Sequence, residues 1–342
     1  MPAFYDQGFV VRVPSWHGLE NVIFADYPGR EEAYVAAGHD FVVTERPLLL
    51  PVTVIDHDQD NEPIWDLTSA RRVGGFKAIV KEMPGDPSDG KLLNVSSESY
   101  GVVQNTVPWD VIDTLVQEPN VKYETGGVLE DGAKLFVTAY LDEPTQVTGD
   151  DSPIYPFLYA TWSHDGSGAI RVGRTSIRIV CANTAAAAEL ESARANRDFT
   201  FKHTRNVMSR ISDAKVAIEG AREGHREFME IAEDLAIQSV TERQRELFIQ
   251  GLLPSPPEHL VSDRVMSNIE EARGKLRTVL VSGSTIPDAH RLTAYGLLTG
   301  GIEYLDHLRG YRSSSTYLGR TLLRNEPAKA KLLPLIEEVI AA

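Results

Sequence analysis

Several basic side chains of this sequence have the spacing expected of a phosphate-binding groove. The segment Arg174-Thr-Ser-Ile-Arg178 combines two guanidinium groups with two hydroxyls, the donor types that hold a nucleic-acid backbone. Tyr159 and Trp162, in the preceding apolar segment, have aromatic faces on which unpaired bases stack. The sequence therefore predicts a nucleic-acid-binding set made of Arg171, Arg174, Arg178, Lys202, His203, Arg205, Arg210, Tyr159 and Trp162.

The same residues also have a purely structural interpretation. Arginine on a strand commonly pairs with carboxylates, and residues 1–170 contain 27 Asp and Glu against 10 Lys and Arg. The net charge of −15 disfavours phosphate binding, but it is unevenly distributed: residues 1–170 carry −17, residues 171–342 carry +2, and residues 171–225 alone carry +4. The aromatic rings equally suit a core. Both interpretations stay open from the sequence.

Two acidic clusters suggest a metal site as an alternative. Asp56-His-Asp-Gln-Asp60 offers carboxylate oxygens, which magnesium and calcium prefer, but its spacing is not that of an EF-hand loop. Asp89-Gly-Lys91 resembles the acid-x-Lys end of metal-dependent nucleases, with Asp66 as the candidate second carboxylate. Turns rich in Asp, Pro and Gly explain both clusters more simply. We therefore expect neither a metal nor another cofactor.

Catalysis has little support elsewhere in the sequence. The nucleotide-binding motifs G-x-x-x-x-G-K-[ST] and G-x-G-x-x-G, the serine-hydrolase motif G-x-S-x-G and the zinc-peptidase motif H-E-x-x-H are absent. The single cysteine, Cys181, needs His164 or His203 as a base in order to act as a nucleophile, and burial in a core is the alternative. We expect a binding protein without turnover.

Two β-hairpins must position the basic residues. Glu-Asp-Gly at 130–132 separates the apolar segments 123–129 and 134–142, and His-Asp-Gly at 164–166 separates 156–163 from 169–181. The short turns predict one antiparallel sheet, with the helix that begins at Ala185 packed on its apolar face. Within the last strand, alternation places Arg174, Ser176 and Arg178 on one face.

The rest of the first half also has the pattern of strands and turns. Pro51 splits the apolar run at 48–55 or confines it to a sheet edge. Residues 56–61 and 83–90 are predicted as loops because Asp, Pro and Gly are abundant there, whereas 91–95 and 100–104 are predicted as strands. A helix is predicted from Pro108, with Thr106 as a candidate N-cap.

The second half has helical periodicity. Apolar residues recur at spacings of three and four in 204–235, and further helices are predicted at 242–253, 263–281, 288–309 and 327–340. Strands followed by helices predict an α+β fold: an antiparallel hairpin sheet in a first domain, 1–198, and a helical second domain, 199–342. We also expect a homo-oligomer, because the later helices have apolar residues surplus to one core: Leu297, Leu298, Tyr304 and Leu308.

Composition and termini indicate the compartment. No apolar run approaches the roughly 18 residues of a membrane span, so we expect no membrane association. The first residues lack a basic start followed by an apolar stretch, so no secretory signal is expected. One cysteine excludes an intramolecular disulfide and favours a reducing, cytoplasmic setting.

Five short sequences, in order along the chain, resemble a known family. They are Pro14-Ser-Trp-His-Gly18, Tyr100-Gly-Val-Val-Gln-Asn105, the Gly126-Gly127 hairpin, Arg178-Ile-Val-Cys-Ala-Asn-Thr184 and Lys202-His-Thr204. Together they resemble the phage/plasmid-like family that carries domain of unknown function 932. The resemblance runs from about residue 14 to the helices near residue 240. It implies a bacteriophage or plasmid protein that acts in the cytoplasm of a bacterial host, and it brings no established catalytic residues.

The order helix, hairpin, hairpin, long helix is also similar to the core of single-strand annealing recombinases such as RecT and Redβ. In those proteins a sheet and a helix form a basic groove for stretched DNA, so the similarity implies a role in recombination. Two other functions stay open. One is an antagonist or decoy that binds a host protein through the acidic first half, and the other is a metal-dependent nuclease.

Overall fold

Strands dominate the first half of the chain. The computed structural model describes residues 5–11, 22–116, 122–141, 144–178, 199–201, 214–257, 262–309 and 327–342. The strands are β1 (Tyr5–Val11), β2 (Val22–Phe24), β3 (Val42–Leu50), β4 (Val54–His57), β5 (Pro63–Trp65), β6 (Arg71–Met83), β7 (Asp86–Ser97), β8 (Lys122–Leu129), β9 (Lys134–Tyr140), β10 (Ile154–Ser163), β11 (Ile170–Arg178) and β12 (Phe199–Phe201). They form a seven-stranded sheet, β12-β11-β10-β9-β8-β1-β2, a three-stranded sheet, β3-β6-β7, and the pair β4-β5.

Both predicted hairpins lie in the seven-stranded sheet. β8 pairs with β9 and β10 with β11, and the antiparallel ladder between β9 and β10 joins the two hairpins. In the first turn Asp131 and Gly132 have φ values of 59° and 101°. These values are left-handed, a conformation that Asp and Gly adopt in hairpin turns. The prediction of one antiparallel sheet is confirmed. The helix predicted from Ala185 lies outside the described residues.

Helices dominate the second half. They are α1 (Arg30–Ala36), α2 (Thr106–Val116), α3 (Ala214–Ile237), α4 (Glu242–Leu252), α5 (Asp263–Ser282), α6 (Ala294–Glu303), α7 (Pro327–Ala330) and α8 (Leu332–Ala341). Most of the helix predictions are confirmed, including the helix that begins near Pro108. The strand-rich first half and the helix-rich second half confirm the α+β fold. None of the helices in the described ranges combines the length and the hydropathy that a bilayer crossing requires.

Three predictions of local structure were wrong. Residues 83–90 are not a loop: β6 reaches Met83, a tight turn follows at Gly85 (φ 84°), and β7 begins at Asp86. Residues 101–104 form no strand; instead the Gln104 amide accepts a hydrogen bond from the Val43 backbone N–H (3.1 Å) and donates one to its carbonyl (2.7 Å). The Gln104 side chain thus makes the hydrogen bonds to the Val43 backbone that a neighbouring strand would otherwise make.

The third wrong prediction is the continuous helix at 288–309. A single 3₁₀ turn covers Asp288–His290, α6 begins only after Thr293, and its last turn widens into a π-helix at Tyr304–Leu308. The Thr293 hydroxyl accepts a hydrogen bond from the Gly296 N–H at 3.3 Å, so an N-cap breaks the predicted helix.

Two hydrophobic cores organise the described residues. The first lies between the seven-stranded sheet and the helices α1 and α2. The second joins α3 to α6 and α8, and Val147 and Ile154 from the strand-rich half contribute to it. Leu297, Leu298 and Tyr304 are buried in this second core, at most 3% exposed, so the apolar surface predicted as surplus is used within the chain. Of the four surplus residues, Leu308 stays exposed.

Candidate nucleic-acid interface

The strand that carries the three predicted arginines lies near one end of the seven-stranded sheet. β11 pairs with β10 on one side and with the end strand β12 on the other. The short ladder to β12 joins Ile170 to Phe201 and Arg171 to Thr200. In the sequence Lys202 directly follows Phe201. The second group of basic residues in the predicted groove, which runs from Lys202 to Arg210, therefore begins where the chain leaves this ladder. We call β11, β12 and this exit point the β12 end.

The residues of the second basic group lie outside the described residues. They are Lys202, His203, Arg205 and Arg210. Their contribution to the predicted groove stays a prediction.

The register of β11 divides its arginines between two faces. Arg171 pairs with Thr161 of β10, Arg174 with Leu158 and Arg178 with Ile154, and no register shift interrupts the ladder. Because positions alternate between faces along a strand, 174 and 178 share the face of Leu158 and Ile154, which are buried in the two cores, and 171 belongs to the other face. The side chains of Arg174 and Arg178 lie outside the described set.

Arg171 shares its face of the sheet with Tyr159. Tyr159 pairs with Gly173 and Arg171 pairs with Thr161, so the two are diagonal neighbours on adjacent strands. Both side chains are half-buried. Gly173 contributes no side chain directly opposite the tyrosine ring. A guanidinium beside an aromatic ring is the combination that single-strand binding uses for phosphates and bases.

Trp162 is not exposed, as stacking on a base would require. Its side chain is 1% exposed, and its ring makes an edge-to-face contact with His39 at a centroid distance of 5.0 Å. The indole N–H donates to the side-chain oxygen of Asn105 at 3.1 Å. Position 162 falls on the face that forms the first core, so the ring fills that core and offers no open face to a base.

A buried polar cluster, which the sequence did not reveal, lies directly under this sheet. The Asn105 side-chain oxygen accepts hydrogen bonds from Trp162 and from His164 Nε2 (2.8 Å). Its amide group donates to the backbone carbonyls of His39 (2.9 Å) and Phe41 (3.3 Å). Asn105 therefore ties the segment before α2 to β10 and to the chain that leads into β3.

His39 completes this cluster as a neutral imidazole. Its Nδ1 accepts a hydrogen bond from the Trp109 indole (2.9 Å), and its Nε2 donates to the Gly127 carbonyl (2.9 Å). Burial lowers the pKa of His39 to about 3, so the ring is uncharged at neutral pH. With both ring nitrogens engaged, His39 orients neighbours rather than transferring protons. The sequence signal for this cluster was the Tyr100–Asn105 motif, which contains Asn105. The residues that Asn105 binds are distant along the chain.

The acidic clusters have structural partners. Among the described residues no group of three or more His, Cys, Asp or Glu side chains is arranged to hold a metal ion. The Asp58 carboxylate closes its own turn by accepting from the N–H groups of Asp60 and Glu62, each at 2.9 Å. Lys91, which the nuclease alternative needs, is paired with Asp131.

The remaining described residues of these alternatives have structural roles. Asp66 accepts from the Thr68 N–H at 2.9 Å and caps a 3₁₀ turn. Cys181 and His203 lie outside the described residues, and His164 is fully buried. Among the described residues, Asp58 and Asp66 therefore serve turns and Lys91 serves an ion pair.

Comparison with known proteins confirms domain of unknown function 932, but over other residues than the expected range from about 14 to 240. A family model described as "Domain of unknown function (DUF932)" matches residues 92–326, which include β8 to β12 and most of the helical half. Neither curated proteins nor solved structures give a match. Since the family model covers more than half of the chain, this protein belongs to the DUF932 family.

Proposed function

We propose that this chain binds single-stranded DNA at the β12 end of the seven-stranded sheet and promotes strand annealing without turnover. The ladder between β11 and β12 is the observation that carries the proposal. It puts Arg171 opposite Thr200, next to the point where the Lys202 segment begins. Two basic groups that are distant along the chain thus start from one end of one sheet.

The charge distribution supports the same surface. Residues 171–225 carry +4, whereas residues 1–170 carry −17. A phosphate backbone is repelled by the acidic half and attracted to the basic stretch, so long-range electrostatics favour approach at the β12 end. The overall charge of −15 then restricts where DNA binds without excluding binding.

The residue types support sequence-independent contacts. The Arg171 guanidinium would hold a phosphate, and the neighbouring Tyr159 ring would support a base by stacking. Annealing needs such contacts, because a protein that pairs complementary strands must accept any sequence and leave the base edges available. The resemblance to phage and plasmid proteins supports action in a bacterial cytoplasm, and the similarity of the element order to annealing recombinases supports a role in recombination.

Fluorescence anisotropy with a labelled single-stranded oligonucleotide of mixed sequence tests the proposal. At low salt and with EDTA we expect saturable binding by the native chain and several-fold weaker binding by Arg171→Ala. Arg243→Ala, which removes an exposed arginine from α4, is the matched control because it changes the net charge equally. We expect it to bind like the native chain.

Three outcomes contradict the proposal. They are no binding by the native chain at low salt, equal loss of binding in both variants, and a lower melting temperature of Arg171→Ala without any change in binding. The last outcome would show that the arginine stabilises the fold through acidic partners. Cleavage of the oligonucleotide when magnesium replaces EDTA would favour the nuclease alternative.

A further inference from the structure

A β-arm of residues 44–76 extends from the first core without a core of its own. It contains the end of β3, the β4-β5 hairpin and the start of β6, and none of its residues is buried. Its neighbours in the same strands, Val43 and Ile79, are buried in the first core. The arm precedes the residues 92–326 that match the family.

The arm exposes large apolar side chains along its length. Leu67 is 76% exposed, Ile55 64% and Leu50 59%. A two-stranded hairpin is marginally stable in water unless its apolar face packs on something. Exposed apolar side chains concentrated in one extension are typical of an interaction surface. This apolar surface consists of residues on both faces of the arm: Leu49, Leu50, Ile55, Ile64, Trp65 and Leu67.

The charges of the arm are divided along its length. Residues 51–70 contain five acidic residues and no lysine or arginine, and the turn at 56–62 holds four of the acids. Two exposed arginines, Arg71 and Arg72, follow at the start of β6. They pair with Leu50 and Leu49 at the end of the β3-β6 ladder that is farthest from the first core, and Arg72 also pairs with Glu98 at 3.0 Å. We call this position, where the β4-β5 hairpin begins, the base of the hairpin. The tip is therefore acidic, whereas the base of the hairpin has a net positive charge.

We propose that two copies of this chain associate through their arms in an antiparallel, two-fold arrangement. In this arrangement the acidic tip of each arm lies on Arg71 and Arg72 of the other copy, and the two apolar surfaces cover each other. Arms aligned side by side in parallel would instead bring tip to tip and base to base, where like charges repel. A two-fold axis forms both tip-to-base contacts from one self-complementary surface.

The strand order leaves backbone groups at the arm available for such pairing. β3 is an outer strand of the three-stranded sheet, and β4 pairs with β5 alone among the described strands. Outer strands accept a strand from another chain through their unpaired N–H and carbonyl groups. The inference is independent of DNA binding and replaces the helical surface that the sequence suggested for self-association.

Light scattering coupled to size exclusion, on the full chain without DNA, tests the proposal. We expect twice the chain mass of 37.8 kDa at micromolar concentration. Ile55→Ser combined with Trp65→Ser should shift the mass to that of one chain. Leu292→Ser, at a 62% exposed leucine outside the arm, is the control and should leave the dimer intact.

Charge reversal tests the antiparallel arrangement. We choose Asp60→Lys with Glu62→Lys for the tip, since Asp58 closes the turn, and Arg71→Glu with Arg72→Glu for the base. Each double variant alone should dissociate at least tenfold more readily than the native chain. An equimolar mixture of the two should form a heterodimer, because both tip-to-base contacts are then attractive.

Several results would overturn the proposal. A native chain that stays at one chain mass through tens of micromolar shows that the arm does not bind a second copy. A dimer that survives Ile55→Ser with Trp65→Ser places the interface elsewhere. Failure of the charge variants to associate on mixing, with circular dichroism like that of the native chain, excludes the antiparallel arrangement.

Discussion

Replacing Asn105 by alanine should destabilise the protein more than any conservative surface change. Asn105 is 1% exposed and makes four hydrogen bonds, to Trp162, His164 and the carbonyls of His39 and Phe41. The variant leaves two buried N–H donors and two carbonyls without this partner. At about 1–3 kcal/mol for each buried group left unsatisfied, with partial relaxation, we expect a loss of about 3–5 kcal/mol.

Urea unfolding followed by tryptophan fluorescence measures this loss, because Trp109 and Trp162 both lie in the cluster. Asn94→Ala is the matched control. Asn94 is half-buried and donates to Ser96 Oγ at 2.7 Å, so its removal should cost less than about 1 kcal/mol. A loss below about 1 kcal/mol for Asn105→Ala, equal to that of the control, would refute the view that the cluster holds the sheet to α2.

Two further predictions concern buried ionisable groups. The folded state keeps His39 neutral, because burial lowers its pKa from 6.5 to about 3. The contribution of His39 to the unfolding free energy is therefore complete above pH 6.5. It is lost as the pH falls towards 3, at about 1.4 kcal/mol per pH unit. His39→Gln should therefore flatten the pH dependence of the unfolding free energy between pH 6 and 4, and parallel curves for the two proteins would contradict this account. In the second core, Lys329 (1% exposed) and Asp306 are an ion pair at 2.5 Å, so Lys329→Met alone should cost about 3–5 kcal/mol. Lys329→Met with Asp306→Leu should recover most of that loss, and a double variant as unstable as the single one would show that packing rather than unpaired charge is responsible.

Local signals in the sequence were sufficient for the central sheet. Asp131-Gly132 and Asp165-Gly166 lie between apolar segments, and their turn conformations depend on adjacent residues alone. The same local reasoning failed at residues 83–90, where the abundance of Asp, Pro and Gly predicts a loop although a tight turn and an exposed strand tolerate these residues. It failed again at 288–309, where an N-cap and a π turn break a continuous apolar pattern.

The candidate interface was only partly accessible to sequence reasoning. Alternation along β11 was predictable, but the pairing of Arg171 with Thr200 joins segments separated in the chain, and no local pattern contains it. Its residue type makes Trp162 a candidate for base stacking, but exposure cannot be read from residue type. Its burial depends on Asn105 and His39, which meet it only in the folded sheet.

The salt dependence of single-stranded DNA binding tests the central proposal most directly. Each phosphate neutralised by the β12 end releases counterions, so the logarithm of the binding constant should fall with the logarithm of salt concentration by roughly 0.7 per contact. Arg171→Ala should reduce the steepness of this slope by about 1 unit and weaken binding to all sequences alike. An unchanged slope with a lower melting temperature would show that this arginine serves the fold, and the absence of binding at low salt would contradict the proposed function itself.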